Sequence, residues 1–343
     1  MKLNVKIRGR NILLKNEASI FVTQKLPELI EARMNDLFNV QFNQHGRPLS
    51  EEELISGAKN HTVLLSTITD PLNKNVINRL PKTIKLIAQF GNGIDNIDIA
   101  AASKRSIVVT NTPSTMSEDT ADMAMALMLS IPRRLVEGSQ ILTATKQFSG
   151  WSPNWMLGRR LRGKSLGIVG LGRIGLAVAT RAKAFGLDIH YYSRTRRPSQ
   201  IEEQLNASWS TSLNQLIEKV DILSLHIPLT KQSEKIINRE RLKLMKPDAI
   251  LINVSRSELI DENALVEMIE KNHLSGAGLD VFEHQNGVNP KLLALAKDNK
   301  VLLTPHMASA TLEGRIEMGE TVLVNIKTFL DGHRPPHRIL PEG

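Results

Sequence analysis

The 343-residue chain contains no cysteine. That excludes disulfides, thiolate metal ligands and cysteine nucleophiles together, and it fits a cytoplasmic setting. Aromatic residues make up only 4%, too few for the stacking platforms of single-stranded nucleic-acid binders. The net charge is +9, yet there is no long block of lysine or arginine; beyond the N-terminal extension the bases are scattered among acids. Clustered charge, not total charge, marks a nucleic-acid surface, so no such partner is expected. No apolar run approaches the roughly 18 residues of a membrane span, and the longest, ADMAMALMLSI, is interrupted by Asp122. Five basic residues (Lys2, Lys6, Arg8, Arg10 and Lys15) precede the first acid, Glu17. Without an apolar core and poor in serine, residues 1–18 read as a basic extension rather than a targeting peptide.

What the chain does have is alternation. From Ser19, the runs IFVTQ, VQFNQ, TVLLST, IKLIAQF and IVVTN are strand-like, and PELIEARMNDL, SEEELISGA, LNKNVINRL and DIAAASKR between them are helix-like. This is the rhythm of a parallel sheet with helices on its faces. The rhythm pauses at Pro113. Thr115 with Glu118 three residues on forms the pattern of a capping box for a helix running to about Ile131. That helix is apolar nearly all round, which predicts burial. After a loop bearing Trp151, Trp155 and Gly158, a second series follows: SLGIVG, DIHYYS, ILSLHIP, AILINVS, LSGAGLDVF and VLLTPH. Leu312, Ile316, Gly319, Leu323, Ile326 and Leu330 then recur at helical spacing, with Gly332 as the stop. The fold class is therefore α/β, with two Rossmann-like doubly wound parallel-sheet domains joined by two long helices. The expected division is 1–113 plus 309–343 for one unit and 114–308 for the other, with a crevice between them as the natural ligand site.

The best-defined motif is LGIVGLGRIG, where Gly170, Gly172 and Gly175 have G-x-G-x-x-G spacing between an apolar strand and a helix-like segment. Gly170 permits the tight turn, Gly172 admits a pyrophosphate, and Gly175 lets helix pack on strand, while the helix N-terminus offers free N–H groups. The bland alternative is a purely structural glycine turn. An NAD site would place an acid at the end of the next strand. Here DIHYY runs into Ser193-Arg194-Thr195-Arg196-Arg197. Ser193 can hydrogen-bond a 2′-phosphate and Arg194 and Arg196 can clamp it, so NADP(H) is favoured over NAD(H); the alternative is a solvated basic turn.

Three later strands each end in a reactive group: Arg256 after AILINVS, Asp280 after GAGL, and His306 after VLLTP. Arginine can bind a carboxylate and polarise a carbonyl, and histidine can give or take a proton. Singly, each has a plainer reading, as a helix-start charge, a loop cap and a core histidine. With FGNGIDNID, TPSTMSEDTADMAMALML, GKSLGIVGLGRIG, LHIPLT, NVSRSELIDENAL, GAGLDVFEH and TPHMASAT in this order, the chain resembles the D-isomer-specific 2-hydroxyacid dehydrogenases. The likeness is greatest to their glyoxylate/hydroxypyruvate reductase (D-glycerate dehydrogenase) branch and covers about Ser19 to Pro341. The resemblance implies reduction of a small 2-keto acid to glycolate or D-glycerate by hydride transfer from NAD(P)H. It implies that Asn92 and Gly93 hold the substrate carboxylate through backbone amides, that Arg256 binds the carboxylate and keto oxygen, and that His306 donates the proton. It places Arg173 and Ile174 over the pyrophosphate, Thr120 and Asp280 at the nicotinamide end, and Pro228 and Val254 along the coenzyme. It also implies a homodimer through the dinucleotide-binding domain, by way of the long helix and the Trp-bearing loop. No metal is expected.

Two positions depart from the family pattern. Ser257 stands where a glycine usually follows the arginine, tolerable unless a positive φ is required. The family's catalytic glutamate lies twenty-nine residues beyond the arginine and is followed by proline; here Gln285 and Asn286 stand there. Glu283 is no obvious substitute. Glutamine can accept the same hydrogen bond but supplies no charge, which lowers the pKa of the histidine and shifts reduction to acid pH. Formate dehydrogenases of the same superfamily pair their histidine with glutamine. The alternative to a working reductase is a catalytically impaired dinucleotide sensor of the same fold, although Arg256 and His306 are both kept.

Overall fold

The computed structural model describes residues 18–43, 46–113, 115–148, 150–284 and 287–341. Gln285 and almost all of the basic extension lie outside the described residues. The chain forms two compact units, 1–116 with 310–343 and 117–309.

The first unit is built on strands β1 (Ser19–Val22), β2 (Asn39–Phe42), β3 (Val63–Thr67), β4 (Leu86–Phe90) and β5 (Val108–Thr110). The second unit contains β6 (Ser165–Val169), β7 (Asp188–Tyr192), β8 (Ala207–Trp209), β9 (Ile222–Leu225), β10 (Ile250–Asn253), β11 (Gly276–Leu279) and β12 (Val301–Leu303). A short β13 (Arg338–Ile339) returns to the first unit. The sheets run β13-β5-β4-β3-β1-β2 and β12-β11-β10-β9-β6-β7-β8. Every pairing is parallel except β13 on β5. The first order is the flavodoxin-like variant of the doubly wound fold, closed by an antiparallel edge strand. The second is the dinucleotide-binding order with one added edge strand, its reversal falling between β6 and β9.

Both sheets are covered on both faces, which explains near-continuous apolar strands. In β4, Leu86, Ala88 and Phe90 enter one core while Ile87 enters the other. The helix Leu312–Leu330 puts Met318, Val322, Leu323 and Ile326 into the first of these, among Ile20, Val22 and Leu65. Gly319 is required there, since a Cβ would come within 2.4 Å of Ile30. The helix stops as expected: Gly332 has φ +79°, and its N–H and that of His333 donate back to Phe329 and Thr328.

Three local expectations take another form. The helix after Pro113 spans Ser117–Ser130. The Thr115 hydroxyl donates to the Thr112 carbonyl (3.5 Å) rather than capping, and Glu118 pairs with Arg181 (2.8 Å). Burial is confined to a face carrying Ala121, Ala124, Met125, Leu127 and Met128, and Asp122 is exposed and also bound to Arg181. A further helix, Leu135–Thr145, precedes the tryptophan loop, and none of its residues is buried.

Candidate active site

The glycine turn after β6 has the geometry its spacing demands. Gly170 has φ +94°, and a Cβ on Gly175 would sit 2.2 Å from the Gly170 carbonyl. A Cβ on Gly172 would meet nothing within 4 Å, so that face is open. Gly172 precedes the helix Arg173–Ala184 without a side-chain cap, so its first N–H groups are offered to a ligand. Arg173 is exposed and Ile174 half-buried there. The open face, the uncapped helix and the strand reversal at β6 fit the pyrophosphate of a dinucleotide.

The turn after β7 is more engaged than its sequence suggests. The Arg196 guanidinium donates to Glu202 (2.7 and 2.9 Å) and lies 5.6 Å from the centre of the Trp209 ring. The Tyr191 hydroxyl also donates to Glu202 (2.6 Å) and accepts from the Arg197 N–H (2.9 Å). Hydrogen bonds from Arg196, then Tyr191, hold the Glu202 carboxyl below its ordinary range. The Ser193 hydroxyl donates to the Thr195 carbonyl (2.8 Å). Arg196 and Ser193 therefore brace the turn, and Arg194 is left exposed with no ion pair among the described residues. Tyr191, Glu202 and Trp209 were not among the residues expected to matter here; only the long-range contacts reveal them.

Arg256, Asp280 and His306 follow β10, β11 and β12, which are neighbours in one sheet with Asn253 opposite Leu279 and Leu279 opposite Leu303. The fold therefore gathers all three at one end of adjacent strands. The buried Asn253 amide donates to the Arg256 carbonyl (2.8 Å), fixing the backbone that carries the guanidinium. Ser257 opens a 3₁₀ turn, Ser257–Leu259, and is not among the positive-φ residues, so the missing glycine costs no strain. Gly276 and Gly278 in β11 admit the Lys300 carbonyl and Leu127, each of which a Cβ would approach within 3 Å.

Asp280 is completely buried. Its carboxylate accepts from the Thr304 hydroxyl (2.6 Å) and from the N–H groups of Met307 (2.9 Å) and Ala308 (2.8 Å). The His306 N–H donates to the Asp280 carbonyl (2.9 Å), and His306 itself has φ +53°. The histidine loop is thus wound around this acid. Thr120 and Val254 are buried, and the Pro228 carbonyl accepts from the Ser233 hydroxyl (2.9 Å). In the first unit, Asn92 and Gly93 lie in a half-buried turn just after β4. Among the described residues there is no cluster of side chains suited to a metal ion and no helix long and apolar enough to cross a membrane.

His226, just past β9, is a separate titrating group. Its Nε2 lies 2.8 Å from the Ser224 hydroxyl, its Nδ1 is buried without a partner among the described residues, and burial pushes the ring down to about 3. The unfolded chain then binds this proton more readily between about 3 and 6.5, so stability should fall as pH drops through that window. Melting curves from pH 4 to 7 should show a slope that His226→Gln flattens, by at most about 1.4 kcal/mol per pH unit. An unchanged slope would mean that the ring is not held neutral.

A parallel seven-stranded sheet with an open glycine turn at its reversal point is the dinucleotide-binding class of α/β unit. Residues 125–308 match the family described as D-isomer specific 2-hydroxyacid dehydrogenase, NAD binding domain. The glyoxylate reductase of Thermococcus litoralis is 41% identical over 323 residues, 93% of this chain and 96% of the relative. That of Pyrococcus horikoshii is 41% identical over 320 residues, 92% and 94% of the two chains. The structure of an NADPH-dependent glyoxylate/hydroxypyruvate reductase from Sinorhizobium meliloti, in complex with NADP and malonate, is similar with a TM-score of 0.81 and 31% identity, over 94% of this chain and 97% of that one. The chain belongs to the D-isomer specific 2-hydroxyacid dehydrogenases, and its cofactor is a nicotinamide dinucleotide.

Proposed function

We propose that this protein is a reductase of a small 2-keto acid, glyoxylate or hydroxypyruvate, with NADPH favoured over NADH. The observation that carries the reading is the gathering of Arg256, Asp280 and His306 at the ends of three adjacent strands, within a chain whose full-length relatives are named glyoxylate reductases. The alternative of a non-catalytic sensor finds no support among these relatives.

When bound, a reduced nicotinamide supplies the hydride that reduces the keto carbon. Arg256 binds the substrate carboxylate and polarises the keto oxygen, and protonated His306 donates a proton to that oxygen as charge develops on it. Asp280 acts through the His306 loop, since its three hydrogen bonds run there. In the first unit, the backbone amides of Asn92 and Gly93 are offered to the substrate carboxylate. Gly170, Gly172, Arg173, Ile174 and Gly175 would hold the pyrophosphate, and Thr120, Pro228 and Val254 would line the rest of the coenzyme. The preference for NADPH rests on the exposed Arg194, which has no ion pair among the described residues, and on Glu202 being neutralised by Arg196.

The exposed apolar side chains Leu135, Leu142, Phe148, Trp151 and Leu157 cluster along one stretch of sequence, with Phe148 66% and Trp151 84% exposed. We infer that they meet a second copy of the chain, because several large apolar side chains left exposed over one segment are a mark of an interface. Light scattering at twice the chain mass is the expected result.

The test of the function is turnover of glyoxylate and hydroxypyruvate with NADPH and NADH from pH 5 to 8. Reduction of both acids is expected, faster with NADPH and rising toward acid pH. Gln285→Glu should move the profile toward neutral by supplying the carboxylate that the family pattern carries at this position. No turnover of any 2-keto acid, with coenzyme binding intact, would overturn the reading.

A further inference from the structure

The turn after β4 has three consecutive carbonyl groups tied to the body of the first unit. The Thr112 N–H donates to the Gly91 carbonyl (3.0 Å), the Asn111 side-chain amide to the Asn92 carbonyl (2.8 Å), and the Gln89 side-chain amide to the Gly93 carbonyl (3.2 Å). In a planar trans peptide the N–H points opposite to the C=O of the same plane, and the described residues contain no cis peptide bond. The N–H groups sharing planes with these carbonyls belong to Asn92, Gly93 and Ile94. Each is therefore turned away from the group that holds its plane. None of the three has an acceptor among the described residues, and all three residues are half-buried, not fully enclosed. Successive outward amides of this kind form a concave site for an anion.

Gln89 is placed to set this geometry and has no freedom to do otherwise. It is completely buried in β4. Its carbonyl oxygen accepts from the Ser66 hydroxyl (2.7 Å), and its amide nitrogen donates both to the Gly93 carbonyl and to Asn96 Oδ1 (2.9 Å). Flipping the amide would set oxygen against two oxygens. Asn96 in turn donates to the carbonyls of Thr67 and Asp70 (3.0 and 2.9 Å), at the end of β3. On the opposite side, Asn111 is nearly buried, and its own carbonyl accepts from the buried Asn325 amide (3.1 Å).

We infer that Gln89 and Asn111 are positioning residues for the substrate carboxylate. They orient the amides of Asn92, Gly93 and Ile94, and through them they set how tightly a 2-keto monocarboxylate binds without taking part in proton transfer. This rests on the proposed reading of the Asn92–Gly93 turn as the carboxylate site.

The experiment compares Gln89→Leu and Asn111→Ala with the unaltered protein, using glyoxylate, its neutral methyl ester and malonate as an anionic inhibitor. The KM for glyoxylate and the inhibition constant for malonate should rise together, by roughly 10- to 100-fold, the range of a hydrogen bond to a charged group. The kcat should stay within a few-fold, coenzyme affinity should be unchanged, and the KM for the ester should barely move. Equal losses for acid and ester, or a loss confined to kcat, would overturn the inference by showing a general structural role. Should both variants fail to fold, the unaltered protein decides: malonate should shift the amide NMR resonances of Gly93 and Ile94, and their silence at saturating malonate would refute the inference. An unaltered protein that reduces no 2-keto acid would defeat the functional reading itself; an active one whose variants keep their KM would defeat only this step.

Discussion

Replacing His306 with asparagine is expected to lower kcat by about 10²- to 10⁴-fold, the usual contribution of a positioned acid–base group. That corresponds to about 3–5 kcal/mol of lost transition-state stabilisation. Asparagine is the informative choice because His306 has φ +53°, a left-handed conformation that asparagine tolerates better than most side chains. The loop should therefore keep its shape, and the side chain is exposed, so little packing is lost. The KM and the melting temperature should change little, since the proton matters to the transition state far more than to substrate binding. A variant retaining a third or more of the original kcat would exclude His306 as the proton donor.

The second large effect is expected at Asp280. Two backbone N–H groups and one hydroxyl point at its carboxylate, with Met307 N–H and the Thr304 hydroxyl on one oxygen and Ala308 N–H on the other. Asparagine would oppose one of those N–H groups with its own NH₂, whichever way the amide is turned. A buried donor facing a donor costs about 1–3 kcal/mol, and the cheapest relief is movement of the loop bearing His306. Asp280→Asn should thus lose roughly 10- to 100-fold in kcat, with a lowered melting temperature, while coenzyme affinity stays near normal. Measured coenzyme binding separates this from a direct nicotinamide contact. Weak coenzyme binding with normal kcat at saturation would place Asp280 on the coenzyme and not behind the histidine.

Most of the architecture was legible because its causes are local. Alternating apolar runs predict the buried parallel strands, and the glycines of the phosphate turn are there for reasons their spacing encodes, a positive φ at Gly170 and a close approach at Gly175. Strand β8 escaped because Ala-Ser-Trp is part-exposed and carries no apolar run, and β13 because two residues are too few to show a period of two. The helix Leu135–Thr145 escaped for a different reason: with none of its residues buried, it has no core-facing stripe to read. Arg256, Asp280 and His306 were visible as strand-end residues, but the work of Asp280 was not, because its partners lie twenty-four to twenty-eight positions away. The internal bonding of the basic turn was hidden in the same way. Its arginines suggested a row of clamps, and only the folded chain brings Glu202 and Trp209 to Arg196. Pattern shows which residues are available; their commitments to distant partners emerge from packing.

The discontinuity of the first unit bears on how the chain is born. Residues 310–343 belong with residues 1–116, yet all of the second unit is translated between them. On the ribosome the first sheet therefore waits with Ile20, Val22 and Leu65 lacking the cover of Met318, Val322, Leu323 and Ile326. The second unit is contiguous and can close as soon as β12 has emerged. The order of maturation is thus inverted relative to the order of synthesis: the segment made first is the one finished last, and its apolar face stays uncovered until the last helix emerges.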